Sequence, residues 1–168
     1  MASKSSHTIK QRDKPNDVFI TPLKLAKTAI DMIGNYDGIW LDPFKATGSY
    51  FNQFPTDNKE WCEITDEKDF FEYTEEVDVI CSNPPYSLMD KVLDHSIKLN
   101  PKVINYLIGI NNLTAKRIEK LNNNGYFLTK IHMCKVFKWY GMSVIIQFEK
   151  NENKFNIISF DRTVWRNN

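Results

Sequence analysis

A chain of 168 residues fits one domain and is long enough to bury a core. Its 42% hydrophobic and 26% charged residues are ordinary for a globular protein in water. No apolar run approaches the roughly 18 residues that cross a bilayer, and the polar start, Met1 to Ser6, lacks the apolar centre of a secretory signal.

A cytoplasmic location is therefore expected. The three cysteines, Cys62, Cys81 and Cys134, stand singly among apolar residues and read as buried reduced thiols. The three histidines are scattered, so no metal site is expected. The net charge of +1 conceals an asymmetry. Twelve Asp/Glu face three Lys between Asp57 and Asp94, whereas eight Lys/Arg face one acid between Lys98 and Tyr140. Two solvated faces would account for this, and so would an acidic cofactor half beside a basic half that attracts phosphates.

Residues 1–16 are polar, carry Lys4, Lys10, Arg12 and Lys14, and read as a flexible basic arm. Residues 17–168 read as a single domain with no separate target-recognition domain. Pro22 opens a helix over Leu23–Ile33 with Leu23, Ala26, Ile30 and Ile33 on its inner face, and Gly34 ends it. Ile39–Leu41, Trp61–Ile64 and Val77–Cys81 read as strands, with a weaker strand signal at Phe70-Phe71. A helix over Leu88–Leu99, a strand over Val103–Ile108 and a helix over Thr114–Asn122 follow. Tyr126–Phe137 and Ser143–Lys150 are rich in β-branched and aromatic residues and read as paired strands, with Phe155–Phe160 as a further candidate. The alternation predicts an α/β fold: a mainly parallel sheet, helices on both faces, closed by an antiparallel C-terminal hairpin.

Three strand ends carry candidate chemistry. Asp42-Pro43-Phe44-Lys45-Ala46-Thr47-Gly48 places an acid and small residues where backbone can approach a ligand, or makes a plain tight turn. Glu63 is an acid placed to accept hydrogen bonds from ribose hydroxyls. Asp69-Phe70 offers a carboxylate to an exocyclic amine and a ring to a base, or is a surface acid beside a core ring. Asn83-Pro84-Pro85-Tyr86 is the strongest signal. Consecutive prolines hold Asn83 extended and leave only carbonyl acceptors beside it. The Asn83 side-chain oxygen and the Pro84 carbonyl can both accept from one –NH2 group, and Tyr86 supplies a flat face.

With these residues the chain resembles the N6-adenine and related amino-methyltransferases that carry an Asn/Asp-Pro-Pro-Tyr/Phe motif, in particular the small phage and viral type. The resemblance runs from about Val18 to Lys150. It implies a Rossmann-like class I methyltransferase with a seven-stranded sheet, S-adenosyl-L-methionine as cofactor, and adenine N6 in DNA as substrate, in host-cell cytoplasm. Catalysis would rest on Asn83, Pro84, Pro85 and Tyr86. The cofactor would be bound by Phe19, Thr21, Pro22, Asp42, Pro43, Phe44, Gly48, Glu63, Asp69, Phe70 and Asn83. The stretch Lys135 to Met142 resembles the late hairpin walling the target pocket, so Phe137 and Trp139 would join Tyr86 there; ordinary strand packing explains those two rings as well. Lys116, Arg117, Lys135 and Lys138 would meet nucleic acid. Ala46 stands where the family has its first loop glycine, a substitution that fits if its φ is negative. With no target-recognition domain, an oligomer or a partner would supply specificity. Adenine in RNA, a glutamine side chain, and a non-catalytic module of the same fold are the alternative readings.

Overall fold

The computed structural model describes residues 19–136 and 141–150, and the backbone alone of Ile158–Val164. The basic arm expected over 1–16 and the first three residues of the Phe155–Phe160 strand lie outside the described residues.

Helix α1, Leu23–Ile33, begins where the Pro22 carbonyl accepts from Leu25 and Ala26. It buries Leu25, Ala26, Ala29, Ile30 and Ile33. Leu23, expected on the inner face, is 64% exposed. It lies at the margin of the stripe, and Leu25 and Ala29 fill the space instead. Strand β1, Trp40–Asp42, runs parallel to β2, Lys59–Trp61, and to β3, Val79–Ser82. The second strand therefore ends before Cys62, and Glu63 lies in the loop rather than in the strand as expected.

Phe70 and Phe71 form no strand. The Asp69 carboxylate accepts from the Phe71 amide at 2.9 Å and starts a 3-10 turn over Phe70–Glu72. A side chain that caps the local amide satisfies a donor that a sheet would otherwise need. Helix α2, Met89–Lys98, leads to β4, Val103–Gly109, and helix α3, Ala115–Asn123, leads to β5, Tyr126–Lys135. Strand β6, Ser143–Lys150, inserts antiparallel between β4 and β5. The sheet order is β2-β1-β3-β4-β6-β5, and the backbone of β7, Ile158–Val164, runs parallel beside β5.

Period-two alternation assigns the two faces of the sheet. Trp40, Val79, Cys81, Val103, Leu107 and Ile145 pack against α1. Leu41, Ile80, Ile104, Tyr106, Val144 and Phe148 face the other way, onto Met89, Val92 and Leu93 of α2 and Leu121 of α3. Each large apolar side chain buried this way stabilises the fold by about 1.5–3 kcal/mol. Among the described residues no helix is long and apolar enough to cross a membrane.

Candidate active site

Strand β2 lies on one side of β1 and β3 on the other. A parallel sheet opens a crevice at such a reversal, beyond the carboxyl ends of its strands. A cavity of about 470 Å3 lies there, walled by residues that follow β1, β2 and β3 and by the strap that precedes α1.

The wall after β1 hangs on Asp42, which is fully buried. Its Oδ1 accepts from the Ser82 hydroxyl at 2.6 Å and the Phe44 amide at 3.3 Å, and its Oδ2 accepts from the Phe51 amide at 3.2 Å. Burial pushes its carboxyl up to about 6, with the Glu63 charge adding to the rise and the hydrogen bonds opposing it. Asp42 is thus a strut behind the loop and is not among the described residues lining the cavity. Pro43, Phe44, Ala46 and Thr47 are. The loop closes tightly, the Gly48 amide donating to the Lys45 carbonyl at 2.7 Å. Gly48 has φ +85, a conformation that strains any other side chain, and a Cβ there would displace the exposed Asn52 amide 2.6 Å away, so glycine is favoured. Ala46 has φ +44, in the left-handed region, contrary to the negative value expected for an alanine. Its conformation costs about 1–2 kcal/mol relative to the right-handed one.

Glu63 holds Ala46 in place. Glu63 Oε2 accepts from the Ala46 amide at 2.8 Å. Its Oε1 accepts from the Thr65 amide at 3.3 Å and the Thr65 hydroxyl at 3.1 Å, capping the 3-10 turn over Ile64–Asp66. Glu63, Ile64 and Thr65 all line the cavity. Asp69 and Phe70 line it too. One Asp69 oxygen is committed to Phe71, and Phe70 is 2% exposed, its ring edge-on to Phe44 at 5.2 Å and to His95 at 4.7 Å.

After β3 the chain turns through Asn83-Pro84-Pro85-Tyr86. The Asn83 Nδ2 donates to the Phe19 carbonyl at 3.3 Å, which orients the amide. Its Oδ1 is buried and has no hydrogen-bond partner among the described residues. A buried orphan acceptor costs about 1–3 kcal/mol, and this one belongs to a side chain lining the cavity. Asn83, Pro85, Phe19, Pro43, Phe44, Glu63, Asp69 and Phe70 are thus brought together. Thr21, Pro22, Gly48, Pro84 and Tyr86 sit close in sequence to the lining without being part of it; Tyr86 packs half-buried against the core.

The basic residues separate by role. Arg117 Nε donates to Asp90 Oδ1, and its Nη1 donates to the carbonyl and the side-chain oxygen of Asn112, each at 2.9 Å. Lys120 pairs with Asp94, Lys102 pairs with Asp78, and Lys130 caps α1 at the Met32 carbonyl. Lys116 and Lys135 are exposed on α3 and at the end of β5. Phe137, Lys138 and Trp139 lie outside the described residues.

Sequence reasoning missed Ile64, Thr65, Phe71 and Leu88 as lining residues, and Ser82 as the hydroxyl on Asp42. Thr65 carried a readable signal: a threonine two residues after an acid makes the side-chain turn seen here. Burial raises the Cys62 thiol to about 12 and pushes the Cys81 thiol well above its ordinary value, so neither is a thiolate nucleophile. Among the described residues no group of three His, Cys, Asp or Glu could hold a metal ion.

No protein-family profile matches the sequence, and no curated protein matches it. Solved structures do match. The chain is similar to a chain of the E. cuniculi Mtq2–Trm112 complex, which is responsible for methylation of the eRF1 translation termination factor, at 17% identity and TM-score 0.58 over 82% of this chain and 100% of that one. It is similar to a modification subunit assigned to a type I restriction enzyme of Vibrio vulnificus, at 13% identity and TM-score 0.57 over 90% and 48%. It is also similar to the N-methyltransferase NodS of Bradyrhizobium japonicum in complex with S-adenosyl-L-homocysteine, at 10% identity and TM-score 0.58 over 89% and 100%. The fold is that of the class I S-adenosylmethionine-dependent methyltransferases, Rossmann-like.

Proposed function

We propose that the chain is an S-adenosylmethionine-dependent methyltransferase acting on an exocyclic amine, with adenine N6 in DNA as substrate. The observation that carries this reading is Asn83 Oδ1, a buried acceptor without a partner at the end of β3, beside a carbonyl-only Pro-Pro turn. An amine that gives one hydrogen to Asn83 Oδ1 satisfies that acceptor and has the Pro84 carbonyl, in the adjacent residue, as acceptor for its other hydrogen. The cavity suits the cofactor: its volume is in the 300–1,000 Å3 range of small-molecule sites, and its wall combines apolar Phe44 and Phe70 with the carboxylates of Glu63 and Asp69.

Bound S-adenosylmethionine supplies a methyl group carried on a sulfonium. The chain's own residues do the rest. Glu63 would accept from the ribose, the second Asp69 oxygen would accept from the cofactor's adenine amine, and Phe44 and Phe70, packed against each other, would give that ring one apolar wall. The nitrogen lone pair of adenine N6 is delocalised into its ring. Acceptors on both hydrogens favour a pyramidal nitrogen and stabilise positive charge as it grows there. Holding the amine in line with the methyl group supplies the entropic part of the acceleration. Once methylated, the nitrogen is acidic enough to release its proton to water, so no side-chain base is required. In a duplex the base is flipped out, with Tyr86 as a flat neighbour, while Lys116, Lys135 and Lys138 supply positive charge to the phosphates. An oligomer or a partner supplies specificity, and residues 17–168 act as one domain behind a basic arm.

The same chemistry on RNA adenine is an alternative, and the same chemistry on a protein glutamine is favoured by one observation. Lys102, Arg117 and Lys120 are spent on ion pairs within the fold, so the basic bias between Lys98 and Tyr140 leaves fewer cations for phosphate. Ala46 in a strained conformation is what a binding module that has lost catalysis would tolerate; the complete Asn83–Tyr86 motif argues against that. Transfer of a labelled methyl group from the cofactor to DNA, RNA or protein tests all of these. Label on adenine in DNA supports the reading, and label only on RNA or protein replaces its substrate. Cofactor binding without transfer to any of them rejects the enzyme.

A further inference from the structure

The carboxylate of Glu63 has about four lone-pair positions, and three are taken. The Ala46 amide uses one on Oε2, and the Thr65 amide and hydroxyl use both on Oε1. A ribose cis-diol that engages a carboxylate with both hydroxyls needs a position on each oxygen. Oε2 has one left and Oε1 has none. The two backbone amides are not the ones to yield: Ala46 N fixes the loop after β1, and Thr65 N starts the 3-10 turn over Ile64–Asp66. The Thr65 hydroxyl is on an exposed residue at the cavity wall and can rotate away without moving backbone.

We infer that Thr65 sets cofactor affinity by competition, its hydroxyl standing on the acceptor position of Glu63 that one ribose hydroxyl must take over. This rests on the assignment of Glu63 to the ribose. Thr65 is therefore an affinity-determining residue that weakens ground-state binding while keeping the Glu63 carboxylate oriented before the cofactor arrives.

Titration calorimetry with S-adenosylmethionine and with its 2′-deoxy and 3′-deoxy analogues tests the inference on the intact chain. Thr65→Val keeps the shape and the amide but removes the hydroxyl. It is expected to tighten S-adenosylmethionine binding by about 2- to 10-fold, the net worth of one hydrogen bond. Thr65→Ala should give the same gain and Thr65→Ser should bind as wild type. The gain should vanish with the one deoxy analogue that lacks the hydroxyl destined for Oε1, and persist with the other. Unchanged or weaker binding by Thr65→Val overturns the inference, as does an equal gain with both analogues. Glu63→Ala separates the two levels. If it leaves affinity intact, the ribose assignment itself falls and the inference with it. If it lowers affinity while Thr65→Val gains nothing, only the role of Thr65 is lost.

Discussion

The Asn83 amide nitrogen and the Phe19 carbonyl meet at 3.3 Å, across 64 residues of sequence, and this bond decides which end of the amide is left as an acceptor. A strap preceding the first helix therefore orients the motif that follows the third strand. Asn83→Ala removes an acceptor that strengthens as the amine becomes cationic. It should lower kcat by about 10²–10³-fold while leaving cofactor affinity nearly unchanged. Asn83→Asp keeps an acceptor but cannot donate to Phe19, so it should fall between the two. Single-turnover methyl transfer at saturating cofactor is the measurement, and a near wild-type rate for Asn83→Ala would refute the role.

Ala46 carries a positive φ that glycine adopts without cost. Ala46→Gly should raise unfolding free energy by up to about 1 kcal/mol, because relief of the left-handed strain exceeds the added chain entropy of the unfolded state. Urea denaturation of both proteins reads this directly. A destabilised glycine variant would mean that the methyl group packs favourably where it stands.

Asp42 predicts an inverted pH response. Its folded pKa, about 6, lies above the unfolded value near 3.8. Between those values the native state keeps a proton that the unfolded state has lost, so this group's contribution to stability falls as pH rises through the window. The full difference is about 3 kcal/mol, present as a penalty above pH 6 and relieved as pH falls toward 4. Asp42→Asn cannot titrate. Wild type should therefore gain on that variant between pH 7 and pH 4 in denaturation curves; parallel pH profiles would contradict the assignment.

The salt dependence of nucleic-acid binding separates two classes of cation. Lys116→Ala and Lys135→Ala should each flatten the log–log salt slope by roughly 0.9 on a duplex. Arg117→Ala should instead lower stability, because its guanidinium ties Asp90 to Asn112 with only 17% of the side chain exposed. If all three act alike on the salt slope, the ion pair with Asp90 opens on binding.

The strands over Val103–Ile108 and Ser143–Lys150 were legible because β-branched and aromatic residues dominate both segments. So was the Asn83–Tyr86 turn, since proline restricts backbone whatever surrounds it. The helix over Leu23–Ile33 followed from its start and stop signals, and the helix expected over Leu88–Leu99 is found over Met89–Lys98. What escaped was set by partners distant in sequence. Asp42 reads as a ligand residue until Ser82 and the Phe51 amide close on it. Arg117 reads as a free cation until α2 brings Asp90 beside it. Phe70-Phe71 has strand composition, yet one carboxylate two residues before Phe71 redirects the backbone into a turn.

The insertion of β6 between β4 and β5 has a consequence for how the chain must be made. All seven residues of β4 are buried, and its outer edge is covered by residues 143–150 alone. Until that segment leaves the ribosome, the nascent chain presents a bare apolar strand edge, which invites pairing with other chains. The sheet cannot close from local contacts: Val103 must find Glu149, and Gly109 must find Ser143. Such distant pairings slow folding relative to a helical protein of the same size. Synthesis stalled or truncated before Ser143 would yield a chain that holds the whole candidate cofactor cavity and still aggregates.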